Sequence, residues 1–464
     1  MHTTGQAVPI APVSQPLNKS WPVVRGGPLR GCLRDVQFRP LQLYETAWRE
    51  HGDFVCLRVL PGFNAYLLAH PGAIEHILHG NLKNYRKPDS FNDAVRPLAG
   101  NGILTSEGET WRRQRRLVQP AFLRNSVGKV AGHMVAAIGE TVDEWQAADD
   151  DRTLDVVPEM MRLALRIAST TLLGTDISGA ADSIGAAYRT TFEYASLKMN
   201  GRLMFQPLWL PTRRNCEFKR CKTLLDRVIL DLVARRRREA ARQDVLDLLL
   251  AAQDEESGQG MSDEQLKDEA LTLLTAGHET IGAALSWCWY LLAKHTDVQR
   301  EFSEQVSRHL QGRLPTAEDL AAMPLATAIF EESMRLYPPA WGMPRETIEP
   351  DVICGYPVPA RATLILSQYL VHRHPDFWPQ PETFLPARFL SPAAARPKFA
   401  YFPFGGGPRI CIGNHFAMVE GPLALAALSQ RFHFALVPDQ RIEADPTFTL
   451  RPKYGVHVTV RKRA

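Results

Sequence analysis

The run Phe404-Gly405-Gly406-Gly407-Pro408-Arg409-Ile410-Cys411-Ile412-Gly413 constrains this chain more than any other stretch of it. Glycines and a proline rule out regular backbone up to Arg409, while the segment from His415 to about Gln430 reads as helix. Cys411 therefore stands at the mouth of a helix. A sulfur there feels the partial positive charge of unpaired amides, which favours thiolate, the form that binds metal. Taken alone, a single cysteine is more often a small buried hydrophobe. The glycines do not make a phosphate loop, because Gly-x-x-x-x-Gly-Lys-Ser/Thr is absent.

The 464 residues are 45% hydrophobic and 22% charged, a globular balance, and a net charge of +4 gives no reason to expect a nucleic-acid partner. Seven cysteines form an odd set without a CxxC pair, which fits a reducing cytoplasm better than a disulfide framework or a zinc site. The first forty residues read as a Pro-rich extension with neither a membrane-spanning run nor a signal peptide. The expectation is a cytoplasmic chain without a transmembrane anchor.

Along the chain, Leu41 to His51 is an amphipathic helix, and Phe54–Leu60 with Asn64–Ala69 is a β-hairpin across Pro61-Gly62-Phe63. Residues 85–104, with two prolines and two glycines, read as a long loop. Trp111 and Arg115, four apart, share a helical face inside the basic run Arg112, Arg113, Arg115, Arg116. Helical periodicity follows over 127–174 and 177–197. The apolar stretch 199–212 is broken by Gly201, Pro207 and Pro211, and Arg235-Arg236-Arg237-Arg238 reads as a solvated end of a helix. Ser262-Asp263-Glu264-Gln265 is a capping box opening a helix to about His295, long enough to need burial on most sides. Midway along it lies Ala276-Gly277-His278-Glu279-Thr280. Glu332-x-x-Arg335 is an i,i+3 pair, Phe384-x-Pro386-x-Arg388-Phe389 follows, and 445–460 reads as a terminal β-hairpin.

Five of these patterns together resemble the cytochrome P450 family of haem-thiolate monooxygenases, from about residue 40 to the C-terminus. They are the Cys411 loop, Trp111-x-x-x-Arg115, Ala-Gly-x-Glu-Thr, Glu-x-x-Arg and Phe-x-Pro-x-Arg-Phe. The resemblance implies a mainly α fold with a small β lobe: residues 41–464 as one domain, its β-rich part largely 54–70, 340–370 and the C-terminal hairpin. It implies haem b ligated by Cys411, an electron-rich thiolate favouring cleavage of the dioxygen bond. Phe404 and Gly413 would flank that sulfur, and Trp111, Arg115, Arg345 and Arg409 would hold the propionates, with His372 as a further candidate. Thr280 and Glu279 would manage protons. Glu332, Arg335 and Arg388 would be structural.

By the same resemblance, 85–104 and 199–212 cover a substrate pocket. Its contributors would include Phe91, Val95, Phe205, Trp209, Ala276, Gly277, Trp341, Met343 and Phe448, an apolar set that favours a hydrophobic small molecule. Electrons would come from a separate ferredoxin or flavodoxin-type donor with its reductase, steered by Arg112, Arg113, Arg116 and Arg124, to a monomer of the soluble bacterial type. The alternative is a peroxide-using or isomerising haem-thiolate enzyme, or a non-catalytic haem sensor.

Overall fold

A computed structural model describes residues 19–27, 31–178, 183–199, 201–203, 206–391 and 396–463, which divide into two compact units. The first comprises residues up to Asn92 together with Met334–Cys411. Its centre is a six-stranded sheet in the order β1 (Val23–Val24), β2 (Phe54–Leu60), β3 (Phe63–Leu68), β9 (Thr363–Leu366), β6 (Met343–Thr347), β4 (Tyr85–Arg86). The β2–β3 hairpin forms in the register the alternation demands, with Cys56 opposite Tyr66. Val55, Leu57, Leu67 and Leu68 are fully buried in one apolar cluster that also takes in Tyr44 and Ala47 of helix α2 (Pro40–His51). A proline opens α2, where the missing N–H costs nothing. Within the stretch read as an extension, Val23 and Val24 pair in parallel with Cys56 and Leu57, and α1 (Leu33–Phe38) follows. Residues 1–18 lie outside the described set. Helices α3 (Pro71–Glu75) and α14 (Gln368–Val371) and the hairpin β7 (Asp351–Ile353), β8 (Tyr356–Val358) complete this unit.

The second unit, Asp93–Ser333 with Ile412–Ala464, is helical. It holds most of α4 (Asp89–Ala99), then α5 (Gly108–Val118), α6 (Arg124–Ala147), α7 (Val156–Leu173), α8 (Ser183–Met199), α9 (Arg213–Arg236) and α10 (Val245–Ala251). After these come α11 (Asp263–Lys294), α12 (Thr296–Leu310), most of α13 (Pro324–Leu336), and α15 (Asn414–Arg431). The 32-residue α11 starts as the capping box requires, Ser262 Oγ accepting from the Gln265 amide. It is apolar on nearly every side, with Trp287, Cys288 and Trp289 fully buried. Among the described residues no helix is long and apolar enough to cross a membrane.

Four expectations need correction. The 85–104 stretch contains α4, which accommodates Pro97 inside its last turn. The 127–174 periodicity is two helices separated by β5 (Arg152–Asp155), the break falling where Asp151 adopts left-handed backbone. The terminal hairpin is β11 (Ala444–Pro446) with β12 (Leu450–Pro452), while β13 (His457–Lys462) pairs instead with β10 (Phe432–Leu436) and β5. Arg236 is no solvated cluster member: its side chain is wholly buried, bonded to both carboxylate oxygens of Asp244 at 2.6 and 2.8 Å and to Asp247.

Candidate functional site

The cysteine loop is closed by its own backbone. Cys411 N–H donates to Phe404 O at 2.9 Å, Ile410 N–H to Gly407 O at 3.0 Å, and Gly405 N–H to Phe402 O at 2.9 Å. Gly407 has φ +64°, and a Cβ there would stand 1.9 Å from Leu78 O, so only glycine lets the loop lie on the π-turn His76–Gly80. Upstream, Phe402 N–H donates to His372 Nε2 at 2.9 Å. His372 is fully buried, and burial followed by Arg335 and Arg373 holds its imidazole well below the usual range, hence neutral. One ring nitrogen of His372 is thus engaged in holding the approach to the cysteine loop.

Cys411 itself is exposed, in no disulfide, three residues before α15 begins at Asn414. Gly413, the N-cap of α15, is half-buried and offers no side chain to the first-turn amides. Phe404 is half-buried, as is Arg409 in the 3-10 turn Gly407–Arg409. Arg345, on β6, is buried and donates to Pro344 O at 2.8 Å. Met343 on the same strand approaches Gly405, and Trp341 packs on Tyr44 with ring centroids 5.9 Å apart. An accessible thiol on a glycine-pinned loop, with two guanidiniums in the same unit, is a donor set that suits haem, one axial thiolate and cationic partners for carboxylates.

Arg335 is buried and donates to three carbonyls: His372 O at 3.0 Å, Pro381 O at 2.6 Å and Thr383 O at 3.1 Å, its guanidinium 5.0 Å from the Trp378 ring. Arg388 donates to Gln380 O at 2.8 Å. Both cations thus hold 380–383. Glu332, one turn before Arg335 on α13, is fully buried.

In the helical unit, Ala276 is exposed and Gly277 and Thr280 half-buried within the mostly buried middle of α11. They share one face, and Thr280 Oγ1 donates to Ala276 O at 2.6 Å, one turn back. Glu279 is buried, accepting from Thr449 Oγ1 at 3.0 Å with Arg451 at 3.7 Å. Burial raises its carboxyl above the usual range, Arg451 and Thr449 opposing. His278 packs edge-on to Tyr188, and burial lowers it to about 4. The partners of Glu279 carried no local signal, since they lie 170 and more residues downstream.

Trp111 and Arg115 are half-buried on α5, Arg115 Nε donating to Gln119 Oε1 at 3.1 Å. The basic run around them is not an open patch. Arg116 pairs with Asp254 and Glu256, both at 2.9 Å, and Arg113 donates to Gln265 Oε1 and Gly260 O at 3.0 Å. Arg112 pairs with Glu109 but stays half exposed, and Arg124 is exposed. Phe91 and Val95 stand one turn apart on α4, Val95 fully buried. Phe448 packs with Leu98, Phe192 and Ala195, its ring 5.2 Å from that of Phe192. Trp209 is 75% exposed and is not gathered with them. Phe205 lies outside the described residues.

A family model described as cytochrome P450 matches residues 22–459. The chain is 35% identical to cyclooctatin synthase of Streptomyces melanosporofaciens, covering 94% of this chain and 95% of that one. It is 34% identical to cyclooctat-9-en-7-ol 5-monooxygenase of the same species, covering 89% and 88%, and 32% identical to pentalenene oxygenase of Streptomyces avermitilis, covering 89% and 90%. Among solved structures, the haem domain of cytochrome P450DA superposes with a TM-score of 0.88 at 24% identity, covering 96% of this chain and 98% of that one.

Proposed function

The chain belongs to the cytochrome P450 family of haem-thiolate monooxygenases, and on that premise we propose that Cys411 is the iron ligand of a haem b and that the substrate is an apolar alkene or its alcohol. The observation that carries the assignment is the exposed Cys411 sulfur on a loop that Gly407 and His372 hold in place. When bound, the haem supplies two-electron activation of dioxygen, one oxygen atom entering the substrate and the other leaving as water.

Trp111, Arg115, Arg345 and Arg409 would take the propionates, the three arginines as permanent cations suited to carboxylates and Trp111 as an indole N–H donor. Phe404 and Gly413 flank the ligand. Ala276 and Gly277 keep side-chain volume low on the open face of α11, and the Thr280 hydroxyl stands there as a donor that can exchange the Ala276 carbonyl for water. Glu279, whose burial favours its protonated form, holds a proton one residue away. Phe91, Val95, Phe448, Trp341 and Met343 are the apolar side chains this reading assigns to substrate contact. The alkene-type substrate rests on that lining and on the names of the relatives, one an oxygenase of pentalenene and another acting on cyclooctat-9-en-7-ol. A ferredoxin or flavodoxin-type donor, acidic in charge, meets exposed Arg112 and Arg124, and the enzyme works as a cytoplasmic monomer.

The test is the absorption spectrum of reduced, carbon-monoxide-treated protein. Wild type should give the strongly red-shifted Soret band of a thiolate-bound haem, and Cys411→His the band of imidazole ligation. A Cys411→His protein retaining the red-shifted band would refute the assignment. The same cuvette titrated with apolar alkenes and alkenols should shift the Soret band, and a panel without any shift would refute the substrate class.

A further inference from the structure

Seven residues before Ala276, α11 carries a carboxyl group outside the chemistry described above. Glu269 is fully buried, and of its two oxygens only Oε2 has a partner, accepting the Ile103 amide at 3.0 Å. Oε1 is enclosed with no partner among the described residues. Its neighbour Asp268 accepts the Asn101 amide at 2.8 Å, and Thr272 Oγ1 donates to Ala99 O at 3.2 Å. Three side chains within about one turn of α11 thus grip the backbone between Ala99 and Ile103. The approach is close: a Cβ on Gly102 would stand 2.2 Å from Thr272 Oγ1. Gln114 on α5 ties the far side, donating to Asn101 O at 2.6 Å, and Arg96 on α4 donates to Thr105 O at 3.2 Å.

We propose that Glu269 is a positioning residue: it latches 100–107, and with it the end of α4 and the start of α5, to α11, and it lets go when its carboxyl loses its proton. A neutral acid leaves one enclosed oxygen without a partner, whereas a carboxylate would be a buried charge with a single amide donor beside the like charge of Asp268. Among the described residues no cation is in place to offset it. Arg96 and Arg113 are bonded elsewhere, and Lys267 pairs with Glu264 and Asp268, with Asp226 of α9 acting on it. Glu107, at the other end of the segment, is a further acid. Burial, opposed by the Ile103 amide and reinforced by Asp268, pushes Glu269 up to about 8. The latched state therefore holds a proton that the opened state releases, and the latch weakens as pH rises from about 4.5 to about 8, levelling off above. Because α4 carries Phe91 and Val95 and α5 carries Trp111 and Arg115, release alters substrate access. That consequence rests on the reading in the preceding section, but the latch does not.

Hydrogen exchange of the holoenzyme from pH 6 to pH 9, corrected for intrinsic rates, tests the latch at the amides of Asn101 and Ile103. In wild type, protection should fall by up to about tenfold per pH unit until about pH 8. Glu269→Gln keeps an acceptor and cannot ionise, so its protection should be flat with pH and at least tenfold above wild type at pH 9. Asp268→Asn should keep the dependence with its midpoint moved to lower pH, which serves even if the Gln variant folds poorly. A pH-independent wild type, or a Gln variant with the wild-type slope, overturns the proposal. In parallel, substrate affinity read from the Soret shift should weaken between pH 6.5 and 8.5 in wild type and not in Glu269→Gln. If the amides respond and affinity does not, the pocket assignment of α4 fails and the latch stands.

Discussion

Replacing Gly407 with alanine should dislodge Cys411 without touching it. Alanine at φ +64° costs about 1 kcal/mol for left-handed backbone. The new Cβ would lie 1.9 Å from Leu78 O, against the roughly 3.5 Å of ordinary contact, so backbone must move by more than an ångström. Overpacking of this kind costs about 1–3 kcal/mol. The neighbour is a carbonyl of the π-turn rather than a pliable side chain, so the upper half of that range applies and the total is about 3–4 kcal/mol. Because hydrogen bonds from Ile410 to Gly407 and from Cys411 to Phe404 make the loop one piece, the displacement reaches the sulfur. Haem content per chain, the carbon monoxide spectrum and the melting temperature should be measured together. The expected outcome is less haem, with part of what remains lacking the red-shifted band, and a lower melting temperature. Full haem content with stability within about 0.5 kcal/mol of wild type would refute the argument that contact with Leu78 fixes the ligand loop.

Arg236→Met should cost about 3–5 kcal/mol in urea unfolding, because it strands the buried Asp244 carboxylate; a loss below 1 kcal/mol would show that the pair is not desolvated. Thr280→Ala should leave the Soret spectrum unchanged while product formed per electron pair falls severalfold, and full coupling would remove Thr280 from proton delivery. His278 is lowered to about 4, so the unfolded chain takes up the proton first and folding stability should fall by about 3 kcal/mol as pH drops from 6.5 to 4. His278→Gln should flatten that part of the urea midpoint-against-pH curve, and an unchanged slope would place the titration elsewhere.

What could be read from sequence was what neighbouring residues determine. The Ser262 capping box and the length of α11 follow from local periodicity, and the Cys411 loop from glycine spacing, so both were legible. Helix α4 was hidden because Pro97 sits inside a span too short to establish a period. The partners of β13 could not be read, since His457 lies opposite Asp155, some three hundred residues earlier. Arg236 looked solvated in a run of four arginines, because nothing local reveals that Asp244 and Asp247 fold back on it. Glu269 likewise stands in an ordinary helical sequence. Only the return of Ile103 to its carboxyl group makes it unusual.

The β11–β12 hairpin joins two properties that an enzyme designer would prefer to keep apart. Phe448 at its turn packs on Leu98, Phe192 and Ala195, which we propose to be pocket wall, while Thr449, next in line, donates to Glu279, and Leu450 O accepts from buried Trp287. A mutation that reshapes the wall at 448 pulls on the strand that keeps Glu279 in place. On the roles proposed for Phe448 and Glu279, variation selected there for a new substrate arrives with a change in how faithfully electrons are converted into product. Selectivity and coupling efficiency in this protein should drift together unless a second substitution at Thr449 or Arg451 restores the grip.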